Sequence, residues 1–129
     1  MSTPGGRERR PPKPDREAGM QRMREVYGFA ADPDQSAGDF VAYTVDHLFG
    51  DVWRRDGLDV GSRRLLTVGV LAAQGHEDLL EVQFSAALER GELDERAVRE
   101  VVLHLTHYVG WALGAKANNA AERAIDRRH

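Results

Sequence analysis

Apolar residues recur at spacings of three and four from Met20 onward, a pattern that predicts amphipathic helices. The stretch "MQRMREVYG" predicts a short helix that ends at a glycine, and "FVAYTVDHLFG" predicts a second helix that is apolar nearly all round. A third helix is expected from Asp59, whose side chain is a suitable N-cap, to Gly75. Because its Leu65–Ala73 stretch is almost wholly apolar, we expect this helix at the centre of the core.

Three more helices are predicted in the second half of the chain. The fourth ends at Gly91 and carries one buried stripe, made of Leu80, Gln83, Phe84, Ala87 and Leu88. Asp94 caps the fifth, whose apolar face is expected to hold Ala97, Val98, Val101, Val102, Leu105, Tyr108 and Val109. A sixth follows Gly110. No segment shows the two-residue alternation of a strand, so the fold class predicted is all-α, a single-domain bundle of about six helices.

Composition limits the classes of function. Residues 1–18 contain four prolines, two glycines and alternating charges, so we expect a flexible tail followed by a domain at 19–129. The formal net charge of -3 argues against a nucleic-acid or membrane-surface partner. No apolar run is long enough to span a bilayer and no signal peptide is visible, which favours a cytoplasmic location. The absence of cysteine excludes disulfides and thiol chemistry.

Gln83 and two histidines are the first candidates for chemistry. A buried amide needs partners or costs about 1 to 3 kcal/mol, so Gln83 either bonds to a neighbouring side chain or faces a polar cavity. His104 lies one helical turn from Tyr108, and His107 lies one turn from Trp111. Both histidines could serve a pocket or simply pack on the surface. Their spacing of three, without further ligands, argues against a metal site.

Several motifs occur together in one order: "FGDVWRRDGLD", "RRLLTVGVLAAQGHEDLL", "AALERG" and "REVVLHLTHYVGW". With them, residues 20–127 resemble the carboxymuconolactone decarboxylase family, and in particular its 4-carboxymuconolactone decarboxylases. The resemblance implies an all-α bundle that forms rings, hexameric in the decarboxylase branch and trimeric or hexameric in relatives. One branch, similar to alkyl hydroperoxidases, uses a Cys-x-x-Cys pair, which this chain lacks. The other removes CO2 from a γ-lactone that bears a carboxylate.

This decarboxylation makes three demands on a site. The electron pair left by CO2 must delocalise into the lactone, so a donor is needed near the lactone carbonyl oxygen. A general acid must protonate carbon, and donors or a cation must hold the remaining carboxylate. No metal or organic cofactor is required. By residue type and by the resemblance, the catalytic candidates are His107, His47, Gln83 and Tyr108, and the substrate-binding candidates are Trp53, Arg54, Trp111, Tyr43 and His104.

Two positions depart from the family pattern. Gln83 stands where the decarboxylases usually have a histidine, and an amide cannot titrate. The proline expected after the fifth helix is replaced by Ala112. His47 and His107 occupy positions where the family does not lead us to expect histidine, so either could supply the missing proton carrier.

Three hypotheses remain open. The chain is a cofactor-free lyase acting on a carboxylated γ-lactone such as 4-carboxymuconolactone, in aromatic-compound catabolism. Alternatively, it is a repurposed enzyme of secondary metabolism that tailors an aromatic or polyketide-like metabolite, which the arginine-rich, bacterial-type composition would suit. The third hypothesis is a non-catalytic ring-forming or ligand-binding protein. We expect a small-molecule substrate and a homo-oligomer, either a hexamer or a trimer.

Overall fold

The computed structural model describes residues 15–129, and over this range the chain is a single all-α domain, as predicted. A short α-helix at Phe40–Tyr43 continues directly as a π-helix at Thr44–Phe49. Two 3-10 turns lie at Pro33–Gln35 and Val52–Arg54. No helix in the described part combines the length and apolar character needed to cross a bilayer. The six α-helices are α1 (Arg16–Tyr27), α2 (Phe40–Tyr43), α3 (Val60–Gln74), α4 (Glu77–Glu89), α5 (Glu95–Val109) and α6 (Trp111–Asp126).

Aspartate side chains fix the starts of three helices. The Asp59 carboxylate accepts a hydrogen bond from the Ser62 backbone N–H at 2.7 Å, and Asp94 caps α5 in the same way, which confirms both predicted caps. Asp15 caps α1 through the Ala18 N–H at 3.0 Å. Because this cap starts α1 at Arg16, residues 16–18 are helical, and the division into a flexible tail at 1–18 and a domain at 19–129 stays a prediction. Residues 1–14 of that tail lie outside the described residues.

Two apolar clusters stabilise the domain. The main core lies between α3, α4, α5 and α6, and contains the predicted α4 stripe of Leu80, Phe84, Ala87 and Leu88. The small core joins α1 to the π-helix and the following 3-10 turn, and is made of Met23, Val26, Val45, Phe49 and Trp53.

Two predicted core faces are partly exposed. On α3 the buried side holds Arg64, Val68 and Ala72, whereas Leu66 is 63% exposed and Leu65 and Val70 are also open to solvent. The expectation that all of Leu65–Ala73 lies at the centre of the core is therefore wrong for the single chain. On α5 the predicted core residue Tyr108 is 79% exposed. In both helices, an apolar face continues past the part that neighbouring helices cover.

The π-helix approaches α1 very closely. A β-carbon built at Gly19 would lie 2.1 Å from the Val45 carbonyl oxygen, so only glycine allows this approach. The Arg16 guanidinium adds two hydrogen bonds to the Asp46 carboxylate, at 3.1 and 2.8 Å. The Arg16 hydrogen bond is the main reason why the pKa of Asp46 is lowered. Together these contacts fix the orientation of the π-helix, which carries Tyr43 at its start and His47 within it.

Candidate functional site

The nine candidate residues fall into separate places in the single chain. Four lie at the junction of α5 and α6, two lie on the π-helix or at its start, and the rest lie in or beside the cores. The junction holds His104, His107, Tyr108 and Trp111. His47 lies on the π-helix and Tyr43 immediately before it, and the remainder are Trp53, Arg54 and Gln83. These residues do not line one enclosed pocket within the chain, because Gln83 and Trp53 are buried while the histidines are exposed.

The α5–α6 junction gathers an exposed set of titratable and aromatic groups. The rings of His104 and Tyr108 are 5.1 Å apart, and those of His107 and Trp111 are 5.4 Å apart at an angle of 77°. The Nδ1 atom of His107 lies 2.8 Å from the Leu103 carbonyl oxygen. Since a carbonyl only accepts, Nδ1 carries the proton, which leaves Nε2 of the neutral imidazole free to accept one. The junction can therefore transfer protons and present hydrogen-bond donors.

The π-helix presents a second exposed pair. Tyr43 is 69% exposed and His47 is also on the surface. π-Helical turns are rare and occur often at functional sites. The hydrophobic pattern predicted a helix here, but it gave no sign of the wider turn.

Two candidates are buried or tied to the backbone. Trp53 is 7% exposed and packs against Phe49 in the small core, and its carbonyl oxygen accepts a hydrogen bond from Arg22. Arg54 donates to the Gly50 carbonyl oxygen at 3.0 Å, which closes the turn between them. Their predicted role in substrate binding stays a prediction.

Gln83 is buried, as predicted, and its partner is Arg64. The amide oxygen accepts a hydrogen bond of 2.8 Å from Nη1 of a guanidinium that is itself only 1% exposed. Arg64 also donates to the carbonyl oxygens of Val26 and Glu25 in α1, at 2.6 and 3.0 Å, and to both oxygens of Glu92, at 2.6 and 3.1 Å. Gln83 thus joins a buried network that ties α1, α3 and α4 together, and its predicted catalytic role is untested.

Glu92 supplies the negative charge of this network. Burial raises the pKa of its carboxyl, but hydrogen bonds from Arg64 and Arg90 outweigh that effect, so the net pKa is lowered. The carboxylate is therefore ionised at neutral pH and compensates the buried guanidinium.

A buried acid beside a half-exposed arginine follows the π-helix. The Asp51 side chain is 7% exposed, and its Oδ1 atom has no hydrogen-bond partner within the described range 15–129, while the Arg55 guanidinium lies 3.8 Å away. Sequence reasoning missed this pair, and it missed Arg64. The signal for Arg64 was present, since Arg64, Val68 and Ala72 recur every four residues on α3.

Two cavities described in the structure are lined by none of the nine candidates. One of about 230 Å³ lies between α1 and α4 and includes Tyr27, Ser85 and Arg90, and the other is an open depression at Gly75–Leu79. Among residues 15–129, no three His, Asp or Glu side chains are grouped so that they could hold a metal ion.

Residues 38–123, from the approach to α2 through most of α6, match the family model described as the carboxymuconolactone decarboxylase family. The chain belongs to this family. A 4-carboxymuconolactone decarboxylase of Acinetobacter baylyi is 33% identical over 87 residues, which are 67% of this chain and 64% of that protein. A nitrosuccinic acid decarboxylase npaB of Metarhizium robertsii is 39% identical over 78 residues, 60% of this chain and 54% of that protein. The matched region thus spans less than two thirds of either relative.

The family match includes both exposed groups. The π-helix with Tyr43 and His47, the Asp51–Arg55 pair and the α5–α6 junction all lie within residues 38–123. Most of the chemistry-bearing residues described above are therefore part of the shared family domain, whereas α1 precedes it.

Proposed function

We propose that the protein is a decarboxylase that acts on a small carboxylated molecule, a carboxylated γ-lactone such as 4-carboxymuconolactone. Both relatives described above are named as decarboxylases, which supports the class of reaction. The observation that carries the proposal is the α5–α6 junction, where His107, with a free Nε2, packs against Trp111, and where Tyr108, the next residue on α5, packs against His104.

The reaction assigns a role to each group at this junction. When the carbon–carboxylate bond breaks, its electron pair passes into the unsaturated lactone and CO2 leaves. Hydrogen bonds from Tyr108 and Trp111 to the lactone carbonyl oxygen stabilise the negative charge that develops there. Protonated His107 then delivers its Nε2 proton to carbon, since its Nδ1 proton is held by the Leu103 carbonyl. His47 is the alternative proton carrier, on the π-helix.

A second copy of the chain completes the site in this proposal. Tyr108 and Trp111 are 79% and 68% exposed in the single chain, and a charge-stabilising site works best where water is excluded. Exposed apolar residues on α3 and α5, including Leu66 and Leu103, offer a surface for such contact. We propose a homo-oligomer, a trimer or hexamer, in which a neighbouring subunit covers the junction.

The test is release of CO2 from 4-carboxymuconolactone by the purified protein and by His107→Gln. Glutamine keeps the approximate size and polarity but cannot titrate, so we expect turnover to fall by about 100-fold, the range of a lost general acid. His76→Gln is the matched control, because His76 is also exposed but lies at the start of α4, and we expect it to retain full activity. If His107→Gln keeps the parent rate, His107 is not the proton carrier, and His47→Gln is measured next.

Nitrosuccinic acid belongs in the same assay, because the second relative is named for it. Turnover of this acid but not of the lactone would favour the repurposed enzyme. No CO2 from either substrate would favour the non-catalytic, ligand-binding alternative.

A further inference from the structure

Backbone contacts hold the segment between the π-helix and α3 in place. Arg54 donates to the Gly50 carbonyl oxygen at 3.0 Å. Arg63, from the first turn of α3, donates to the carbonyl oxygens of Leu58 and Arg55, both at 3.2 Å. The side chains of Arg54 and Arg63 thus hold the backbone of this segment. The backbone of Arg55 is held by Arg63, and within residues 15–129 the Arg55 side chain makes no such bond to the backbone.

Asp51 faces Arg55 without hydrogen bonding to it. It occupies the N-cap position of the Val52–Arg54 turn, yet its side chain makes no capping bond. Instead the carboxylate is turned inward, with 7% of the side chain exposed and its Oδ1 atom 3.8 Å from Arg55 Nη1. At this distance the two charges attract each other, but the N–H groups of the guanidinium are not used. The Asp51 carboxylate thus lies beside the Arg55 guanidinium without forming a hydrogen bond to it.

Arg55 differs in this respect from the buried Arg64. All five N–H groups of Arg64 are taken by protein oxygens. The Arg55 side chain, in contrast, is 52% exposed, and among residues 15–129 its charged partner is Asp51, at a long distance. A guanidinium with free, oriented donors binds a carboxylate in two parallel hydrogen bonds. The segment with Asp51 and Arg55 directly follows the π-helix that carries His47, the alternative proton carrier, and the Asp51 N–H bonds to the carbonyl oxygen of His47 at 3.0 Å.

We propose that Arg55 binds the carboxylate that stays on the substrate, and that Asp51 is the positioning residue for Arg55. This inference rests on the proposed function and selects substrates with two or more carboxylates. The departing carboxylate is the wrong partner, because its charge moves into the lactone as CO2 forms. A guanidinium bound to it would stabilise the ground state more than the transition state and slow the reaction.

The first experiment measures binding without turnover, by calorimetric titration of the full chain with succinate and with its monoamide, succinamate. We expect Arg55→Gln to weaken succinate binding by about tenfold or more, the effect of losing a bidentate charged pair, and to abolish the preference for succinate over succinamate. Arg55→Lys should bind succinate with an affinity between those of the parent and Arg55→Gln, because lysine keeps the charge but not the bidentate geometry. Arg96→Gln, at an exposed arginine of α5, is the matched control and should bind as the parent does. No succinate binding by the parent, or equal losses in the Arg55 and Arg96 variants, would overturn the proposal.

A double-mutant cycle tests the positioning role of Asp51. If Asp51 acts through Arg55, Asp51→Asn changes succinate affinity in the parent and has no effect when Arg55 is already glutamine. The same change in both backgrounds would show that Asp51 acts independently, and would reject its role as the positioning residue.

Turnover separates this inference from the proposed function. For a dicarboxylate substrate that is decarboxylated, Arg55→Gln should raise KM more than it lowers kcat. CO2 release with an unchanged KM in Arg55→Gln would leave the proposed function intact and reject the carboxylate site. Loss of succinate binding in this variant, with no CO2 released by the parent, would support the site and reject decarboxylation.

Discussion

Gln83 accepts a hydrogen bond from the one N–H group of Arg64 that is bound neither to Glu92 nor to the α1 carbonyl oxygens. A guanidinium has five N–H groups, and here Glu92 takes two, the α1 carbonyls take two, and the Gln83 amide oxygen takes the fifth. An amide is neutral at every pH, so it accepts this bond without adding charge. A protonated histidine at the same position would place a second positive charge against Arg64 and would offer no acceptor.

The first stability prediction follows from this count. Gln83→Ala removes the 2.8 Å acceptor of a buried guanidinium N–H and leaves it only the long 3.5 Å contact to the backbone carbonyl oxygen of residue 83, so we expect the free energy of unfolding to fall by about 1 to 3 kcal/mol. Urea denaturation followed by circular dichroism measures it. Gln74→Ala, at an exposed glutamine at the end of α3, should change stability by no more than about 0.5 kcal/mol. Equal stability of the two variants would mean that the Gln83 bond contributes nothing.

The helices themselves could be predicted from sequence because their signals are local. Asp59 and Asp94 cap α3 and α5 at their starts. Gly28 and Gly75 end α1 and α3 in the left-handed conformation that glycine favours. The π-helix could not be predicted, because a wider turn leaves the same apolar residues, Val45 and Phe49, facing the small core. A π-helical turn holds about one residue more than an α-helical turn, and the pattern of apolar residues does not show this difference.

The candidate site was less accessible to sequence reasoning than the fold. The exposure of His107 and Trp111 depends on where α6 turns away from α5, which no short-range pattern specifies. No sequence pattern singles out Asp51, and only the fold shows that its side chain turns inward. Charged residues are mostly exposed, so the sequence alone favours the surface for an aspartate. Its burial depends on residues that are distant in the chain.

The contact between α1 and the π-helix gives a prediction for a single element. Gly19→Ala would place a β-carbon against the Val45 carbonyl oxygen, so α1 must move away from the π-helix. We expect a loss of about 1 to 3 kcal/mol, the usual cost of overpacking. Gly57→Ala is the control, because a β-carbon there meets nothing within 4 Å, and thermal unfolding of both variants is the measurement. A Gly19→Ala protein as stable as the control would show that α1 shifts without cost.

At the scale of the whole molecule, Arg64 connects the two apolar clusters. It lies on α3 beside the main core, and its bonds to Glu25 and Val26 reach the end of α1, which belongs to the small core. The family match begins after α1, so this network also links the segment before the matched region to the matched domain. The position of the π-helix, held against α1, therefore depends on polar contacts as well as on packing.

The exposed apolar face of α3 gives the prediction for assembly. Leu65, Leu66 and Val70 are 45%, 63% and 54% exposed, so three large apolar side chains of one helix are open to solvent, as is typical of a surface that another chain covers. We expect light scattering at micromolar concentration to report a trimer or hexamer, in which a neighbouring chain covers this face. Leu66→Glu should shift the protein to smaller species, because a carboxylate buried in the contact would be unpaired. Phe29→Glu, at a similarly exposed residue that follows α1, should leave the assembly intact. A monodisperse monomer of the parent protein would refute the oligomer, and with it the proposal that a second subunit completes the α5–α6 junction.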